Sequence, residues 1–343
     1  MPDVSVVVPI FNCAEYLETC LLSISRQTFS NFEVLCIDDL SQDGSAKIVN
    51  KFSKLDPRFR LLRHTENRGA GGARNTGILN AQSDYLAFVD SDDFIEPNTL
   101  ELLVDATHDA KFDVVECGFN VVSPGGKILS SHVPTPRQHN DTASFGSCLL
   151  ATNPSFWNKL WRSELFRANG ILFPERLYWE DLATIPRLIA VAKNMNVIDA
   201  VCYNYFDRQE SYTNAAGPKH LYDYLKVFDI LLSFLKERGL YDAERKNFEE
   251  LVRVNMHYHA DKIHRRGFYN MHDTDRYLAY CFVLCSGYLD SLELQDSDSQ
   301  QILARIRQRE RLEPEAAEVP GLPQEAVVPK PKSNLLNRIL GIR

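Results

Sequence analysis

Apolar and polar positions follow two alternating rhythms over the first 120 residues. Val4–Ile10 is a continuous apolar run of strand length. Glu15–Phe29 spaces Leu17, Leu21, Ile24 and Thr28 as the stripe of a helix. Phe32–Ile37 predicts a second strand, and Ala46–Leu55 a second helix after the turn and cap residues Ser41-Gln-Asp-Gly-Ser45. A short strand at Arg60–Arg63, a glycine-rich loop at Asn67–Gly72 and a helix from Ala73 to Ala81 follow. Tyr85–Val89 predicts a buried strand, and Pro97 the first turn of a helix to Ala110. Phe112–Val122 reads as another strand and Ser123–Lys127 as a turn.

From residue 140 the pattern is mixed. Trp157–Trp161 is a short apolar segment, Ser163 suits a helix cap, Leu182–Lys193 reads as helix and Val197–Phe206 as strand. From 218 to 311 the patterns are helical, and residues 312–332 carry five prolines, as in an extended linker. Ser333–Arg343 gathers Leu335, Leu336, Ile339, Leu340 and Ile342 with Arg338 and Arg343, a short basic amphipathic segment. The expected organisation is therefore an α/β domain over 1–215, a helical subdomain over 216–311 and a tail over 312–343. Short strands alternating with helices imply a mixed, mostly parallel sheet with helices on both faces.

The chain has 343 residues, 44% apolar and 24% charged, which excludes a disordered chain or a disulfide-stapled scaffold. Its net charge of −8 argues against nucleic acid as partner. No apolar run reaches the roughly 18–20 residues of a membrane span, and the N-terminus lacks the marks of a signal peptide. The eight cysteines form no C-x-x-C pair and read as reduced thiols of a cytosolic protein. Cys281 and Cys285 share a helix face and read as packing.

In a parallel sheet, ligands bind beyond the carboxyl ends of the strands. Here those ends carry Asn12, Asp38-Asp39 and Asp90-Ser-Asp-Asp93. Adjacent carboxylates repel unless a cation or donors compensate, so Asp90–Asp93 suits a divalent hard cation, or in part a helix cap. Asp39 can accept hydrogen bonds from a ribose or base. The glycine-rich fingerprint expected after the first strand of a dinucleotide fold is missing; that position reads Pro9-Ile-Phe-Asn-Cys13. Asn67–Asn75 can bring backbone N–H groups and Arg74 to a diphosphate at a helix start. Glu180-Asp181 opens a helix beside Tyr178-Trp179, so Asp181 is either a cap or a general base facing a sugar.

The ordered motifs Val4–Asn12, Ser25-Arg-Gln-Thr-Phe29, Glu33–Asp39, Asn67-Arg-Gly with Ala73-Arg-Asn-Thr-Gly77, Asp90–Asp93 and Trp179-Glu-Asp181 resemble the inverting family 2 glycosyltransferases with the GT-A fold. Tyr203–Thr213 is similar to the motif that closes the catalytic domain in bacterial members, so the resemblance covers residues 1 to about 215. It implies transfer of a hexose or N-acetylhexosamine from a UDP-sugar to a hydroxyl of a cell-surface glycan or lipid-linked saccharide. It further implies nucleotide-sugar binding by Pro9, Phe11, Asn12, Asp39, Arg74, Asp90 and Ser91. Phe11 would lie against the base, Asp39 would accept from the uracil imide, and Arg74 would sit near the donor's phosphates or sugar. Asp92 would hold Mn2+ or Mg2+, and Asp181 would be the base. The family's processive synthases carry Q-x-x-R-W and membrane spans, both absent from this sequence. A nucleotidyltransferase would need a basic, glycine-rich loop after the first strand. A non-catalytic binding module would not need Glu180-Asp181 in addition to Asp92. In the C-terminal part, His257, His259 and His264 form a candidate ligand set on a solvated helix, with Lys262, Arg265 and Arg266 as candidate anion contacts. Ser333–Arg343 is a candidate for docking on the inner membrane face.

Overall fold

The computed structural model describes residues 1–140, 155–207 and 218–265. The chain divides into two compact units, Met1–Ala215 and Ala216–Arg343. The first unit is built on a ten-stranded sheet whose main path runs β3-β2-β1-β4-β9-β6-β10-β5. Its strands are β1 (Val4–Ile10), β2 (Phe32–Asp38), β3 (Phe59–Arg63), β4 (Tyr85–Phe88), β5 (Phe94–Ile95), β6 (Val114–Val122), β7 (Ile128–His132), β8 (Arg137–Asn140), β9 (Lys159–Arg162) and β10 (Asn194–Phe206). Its helices are α1 (Ala14–Ser25), α2 (Ser45–Leu55), α3 (Gly69–Asn80), α4 (Thr99–Asp105), α5 (Ser163–Arg167) and α6 (Glu180–Val191).

Strands β1 to β4 are mutually parallel, with Val6 opposite Val34 and Val7 opposite Phe88. β9 runs antiparallel to both β4 and β6, so β6 and its parallel neighbour β10 again point the same way as β1. Carboxyl ends of β1, β2, β4, β6 and β10 therefore meet along one edge. The continuous apolar runs follow from burial on both faces. Val4, Val6 and Val8 pack with Leu17, Leu21 and Ile24 of α1 and Val49 of α2, all fully buried. Val7 lies under α3, where a Cβ on Gly77 would meet Val7 Cγ1 at 2.3 Å.

The expected helix from Pro97 to Ala110 is shorter. α4 begins at Thr99 and ends at Asp105, because His108, Asp109 and Ala110 all take positive φ. Thr28, expected on the α1 stripe, lies past the helix end, and its N–H donates to Pro97 O at 2.8 Å. Nearby, the buried Gln27 side chain donates to Glu96 O at 2.6 Å and accepts from Leu100 N at 2.9 Å, tying α1 to α4. The hairpin strand β7 is exposed along its whole length and lacks the apolar alternation that would have marked it in the sequence.

In the second unit, α7 (Pro218–Glu237) and α8 (Tyr241–Arg265) form a helical hairpin. Gly239 takes φ 66° at the turn, and Leu240 N–H bonds to Leu235 O at 2.8 Å, a C-terminal cap. Leu231, Leu232 and Leu235 are buried on α7, as are Phe248 and Val252 on α8. Among the described residues no helix is long and apolar enough to cross a membrane. The side chains of His257, His259, His264, Lys262 and Arg265 lie outside the described residues, as do Arg266, Cys281, Cys285, the proline-rich stretch and Ser333–Arg343.

Candidate active site

The expected site residues lie at or just beyond the carboxyl ends of β1, β2 and β4, except Arg74 in the second turn of α3 and Asp181 in the first turn of α6. Pro9 is buried in β1, past the last β1–β4 pair at Val7, so its missing N–H breaks no bond of that ladder. Phe11 follows with its side chain 41% exposed, a rare exposure among the large apolar residues here. Asn12 takes φ 48°, and its side-chain Oδ1 accepts Gln42 N–H at 2.8 Å while its own N–H donates to Ser41 Oγ at 3.0 Å. Asn12 thus ties the loop after β1 to the loop after β2.

Asp39 is 2% exposed and sits at the start of α3. Its Oδ1 accepts Arg68 N–H at 2.8 Å and lies 2.7 Å from His64 Nδ1, and its Oδ2 accepts Gly69 N–H at 2.7 Å. Two N–H groups of the segment expected to cradle a diphosphate are thus engaged within the chain. Asp39 caps this helix start through the N–H groups of Arg68 and Gly69. The glycines serve close packing instead: a Cβ on Gly71 would meet Pro174 O at 2.4 Å. His64, whose Nε2 lies 2.8 Å from Thr76 Oγ1, was missed in the sequence. Its only signal is its place just after β3.

Arg74 is held by side chains of the site itself. Its side chain is only 5% exposed; Nη2 donates to Asp90 Oδ1 at 3.0 Å and Nη1 to Glu180 Oε1. The guanidinium lies on the Phe156 ring, with Cζ 3.8 Å from the centroid. Its charge is thus engaged by two carboxylates, and it joins the end of β4 to the start of α6. Glu180, like His64, was passed over in the sequence, here in favour of its neighbour Asp181.

In Asp90–Asp93 the four residues divide their work. Asp93 is 1% exposed; its Oδ2 accepts the Tyr203 hydroxyl at 2.6 Å and its Oδ1 the Phe206 N–H at 2.8 Å. Burial pushes the Asp93 carboxyl well up, and the charges of Asp92 and Asp90 push the same way. The Asp90 N–H donates to Tyr203 Oη at 3.1 Å. So Asp93 and Tyr203 pin the loop to β10, which leaves Asp90 on Arg74. Ser91 is buried beside the Cys13 thiol, whose pKa burial raises. Asp92 is half-buried.

Trp179 precedes α6 at φ 64°, a strained conformation for a bulky residue, worth about 1–3 kcal/mol. The left-handed step sets Glu180 and Asp181 at the first turn. Asp181 Oδ1 accepts the Leu182 N–H at 2.7 Å. Burial pushes the Asp181 carboxyl up to about 7; Glu180 and Asp90 add to the rise, while the Leu182 N–H and Arg74 oppose it. A carboxylate poised near neutrality is what proton abstraction needs. The structure therefore brings Arg74, Asp90, Glu180 and Asp181 together in one group, and Asp39, His64, Arg68 and Gly69 in another.

Residues 5–168 match the Glycosyl transferase family 2 profile. The glycosyltransferase EpsH of Bacillus subtilis (strain 168) is 30% identical over 260 residues, covering 73% of this chain and 74% of EpsH. Among solved structures, S. aureus TarS 1-349 in complex with UDP-GlcNAc is 25% identical at a TM-score of 0.56, covering 68% of this chain and 67% of that one. The mannosyltransferase PcManGT from Pyrobaculum calidifontis, in complex with GDP-Man and Mn2+, shares the fold at a TM-score of 0.50 and 17% identity, covering 91% of this chain and 81% of that one. With a mostly parallel sheet, an acidic carboxyl edge and these likenesses, the chain belongs to glycosyl transferase family 2, as a glycosyltransferase of the GT-A fold.

Proposed function

We propose that the chain transfers a hexose or N-acetylhexosamine from a UDP-sugar to a hydroxyl of a growing cell-surface glycan, by a single metal-dependent displacement that inverts the anomeric centre. The observation that carries this reading is Asp181, a carboxyl pushed up to about 7 at a helix start within a group of Asp90, Arg74 and Glu180. Asp181 takes the proton of the acceptor hydroxyl as it attacks the anomeric carbon. UDP as the donor's nucleotide is supported by Asp39 and Phe11. A carboxylate has about four acceptor sites, and three on Asp39 are filled by His64, Arg68 and Gly69. The fourth, on Oδ2, suits the uracil imide N–H, and the exposed Phe11, next in chain after the Ile10 carbonyl that accepts the Asp39 N–H, suits the base. UDP-GlcNAc bound to TarS supports the same donor class.

The donor set fits a divalent cation. Asp90, Glu180 and Asp181 set three carboxyl groups around one buried guanidinium, and Asp92 adds a fourth on the same loop as Asp90, a surplus of negative charge. Mg2+ or Mn2+ takes one or two protein carboxylates and completes its shell with phosphate oxygens. Asp92 would hold the ion. When bound, it supplies Lewis-acid stabilisation of the departing diphosphate. Arg74 and Glu180 keep Asp90 and Asp181 in place on either side.

The tail Ser333–Arg343 suits contact with the inner face of the cytoplasmic membrane, where a lipid-linked acceptor would be met. Incubation with a panel of UDP-sugars and Mg2+ or Mn2+, scored by UDP release and product mass, tests the function. Transfer to saccharide with inversion is expected. Pyrophosphate release, or binding without turnover for every donor, would overturn it.

A further inference from the structure

The segment that leads into Glu180 and Asp181 contains no helix or strand over residues 171–179. It runs along one face of α3. Arg68, Gly71, Gly72 and Asn75 stand at i, i+3, i+4 and i+7 and so share that face. Asn75 holds the first part of the segment. Its Oδ1 accepts the Phe173 N–H and its Nδ2 donates to Phe173 O, each at 2.8 Å. A Cβ on Gly71 would meet Pro174 O at 2.4 Å, and one on Gly72 would lie 3.4 Å from Glu175 Cδ. Arg68 holds the next part. Its guanidinium donates to both Glu175 oxygens, through Nε at 3.0 Å and through Nη2, and its carbonyl accepts the Arg176 N–H at 3.2 Å. Arg176 Nε in turn donates to Asn67 O at 2.9 Å. The Arg68 guanidinium holds the Glu175 carboxyl below the usual carboxylate range, so the pair is ionised at neutral pH.

These contacts do more than stabilise the fold. The Arg68 and Glu175 side chains are 34% and 37% exposed, and an ion pair that open to water carries little weight in global stability. Arg176 and Trp179 take φ 54° and 64°, two left-handed non-glycine residues within four positions. Backbone of that kind persists only where its surroundings over-determine it, and it gathers at sites whose geometry matters. Here Asn75, Arg68 and Asn67 fix the chain before Trp179, and Arg74 fixes Glu180 just after it. The next residue is Asp181. Arg68 also donates its backbone N–H to Asp39 Oδ1 at 2.8 Å. One residue therefore meets the carboxylate on the nucleotide side with its main chain and the base-bearing segment with its side chain.

We propose that Arg68 is a positioning residue for the transfer reaction: through Glu175 it fixes the segment that presents Asp181, in register with Asp39. This rests on the reading of Asp181 as the base.

The test uses the full chain with Mn2+ and four donors: UDP-glucose, UDP-galactose, UDP-N-acetylglucosamine and UDP-N-acetylgalactosamine. Turnover is read as UDP release with water as acceptor, and UDP affinity by calorimetry. For the donor that turns over fastest, Glu175→Ala should lower kcat about tenfold or more, while KM and UDP affinity stay within about twofold. Glu175→Gln keeps an oxygen for the guanidinium and should recover most of the rate. Arg68→Ala keeps the backbone N–H on Asp39 and should match Glu175→Ala. Gly71→Ala presses on Pro174 instead of cutting a bond, and should lower kcat in the same way. Hydrogen exchange read by mass spectrometry should quicken over residues 177–182 in Glu175→Ala and stay unchanged in β1 and β4. An unchanged kcat in Glu175→Ala would overturn the proposal, as would a UDP affinity that falls with kcat, or unchanged exchange over 177–182. If no donor turns over, or if Asp181→Asn turns over like the unsubstituted chain, the reading of the base fails instead. Exchange over 177–182 then still decides whether Arg68 and Glu175 hold that segment.

Discussion

Arg74 Nη2 meets Asp90 Oδ1 at 3.0 Å, and the other arm of the same guanidinium meets Glu180. One buried cation thus holds the end of β4 and the start of α6 together. Removing a single partner from a buried ion pair leaves the remaining charges uncompensated, at about 3–5 kcal/mol. Arg74→Ala should therefore lose about that much stability in urea unfolding. Arg74→Lys should lie between, because an ammonium lacks the planar fork that spans two carboxylates. An unfolding midpoint for Arg74→Ala matching the unsubstituted chain would show that the bridge contributes nothing.

Asp181 gives a pH dependence whose sign is fixed. The base must be unprotonated, and its carboxyl is pushed up to about 7. The turnover rate should therefore fall on the acid side with an apparent pKa near 7 and level off above it. Glu180 raises that value by its charge, so Glu180→Gln should move the acid limb to lower pH. Stability runs the opposite way. A folded pKa above the unfolded value of about 3.9 gives stabilisation that is complete below that value and lost as pH rises through 7. Asp181→Asn should thus abolish transfer and yet melt higher than the unsubstituted chain at pH 8, relative to pH 5. A pH–rate profile flat from 5 to 8 would remove Asp181 from the base role.

Gly77 tests whether the α3 glycines act by packing. Alanine is ordinarily better than glycine inside a helix by about 1 kcal/mol. Here its Cβ would meet Val7 Cγ1 at 2.3 Å, so the sign should reverse. Gly77→Ala should destabilise by about 1–3 kcal/mol, and the added substitution Val7→Ala should recover part of it. Gain of stability from Gly77→Ala alone would contradict the contact.

The strands and the edge they create were legible because double-sided burial writes itself into the chain as apolar runs, as in Val4–Ile10. Asp90–Asp93 was legible as an acidic loop, but its division of labour was not. Asp93 is bound by Tyr203, 110 residues away, a pairing that no local pattern encodes. The same holds for Arg74, whose partner Glu180 lies 106 residues on. Asn67–Gly72 looked like an anion cradle because glycines at a helix start serve both anion binding and close packing. Only the position of Asp39 decides between them. β7 stayed hidden because an exposed hairpin strand has no buried face to impose a period of two.

Asp39 caps the start of α3 and donates its own N–H to Ile10 O, one residue before the exposed Phe11. Its carboxylate accepts two backbone N–H bonds and faces His64. Asp39→Ala would strand the Arg68 and Gly69 donors in a nearly closed site, at about 1–3 kcal/mol for an unsatisfied group. Asp39→Asn keeps one oxygen but turns an NH2 toward a donor, so it should be nearly as harmful. His64→Ala removes one contact and leaves both N–H bonds, so the stability loss should be smaller. Nucleotide binding should separate the three variants differently. If the remaining Oδ2 site reads the uracil imide, Asp39→Ala and Asp39→Asn lose UDP affinity, as measured by calorimetry, while cytidine diphosphate, which lacks that N–H, is little affected. Equal losses for the two nucleotides would mean that Asp39 acts only as the cap of α3.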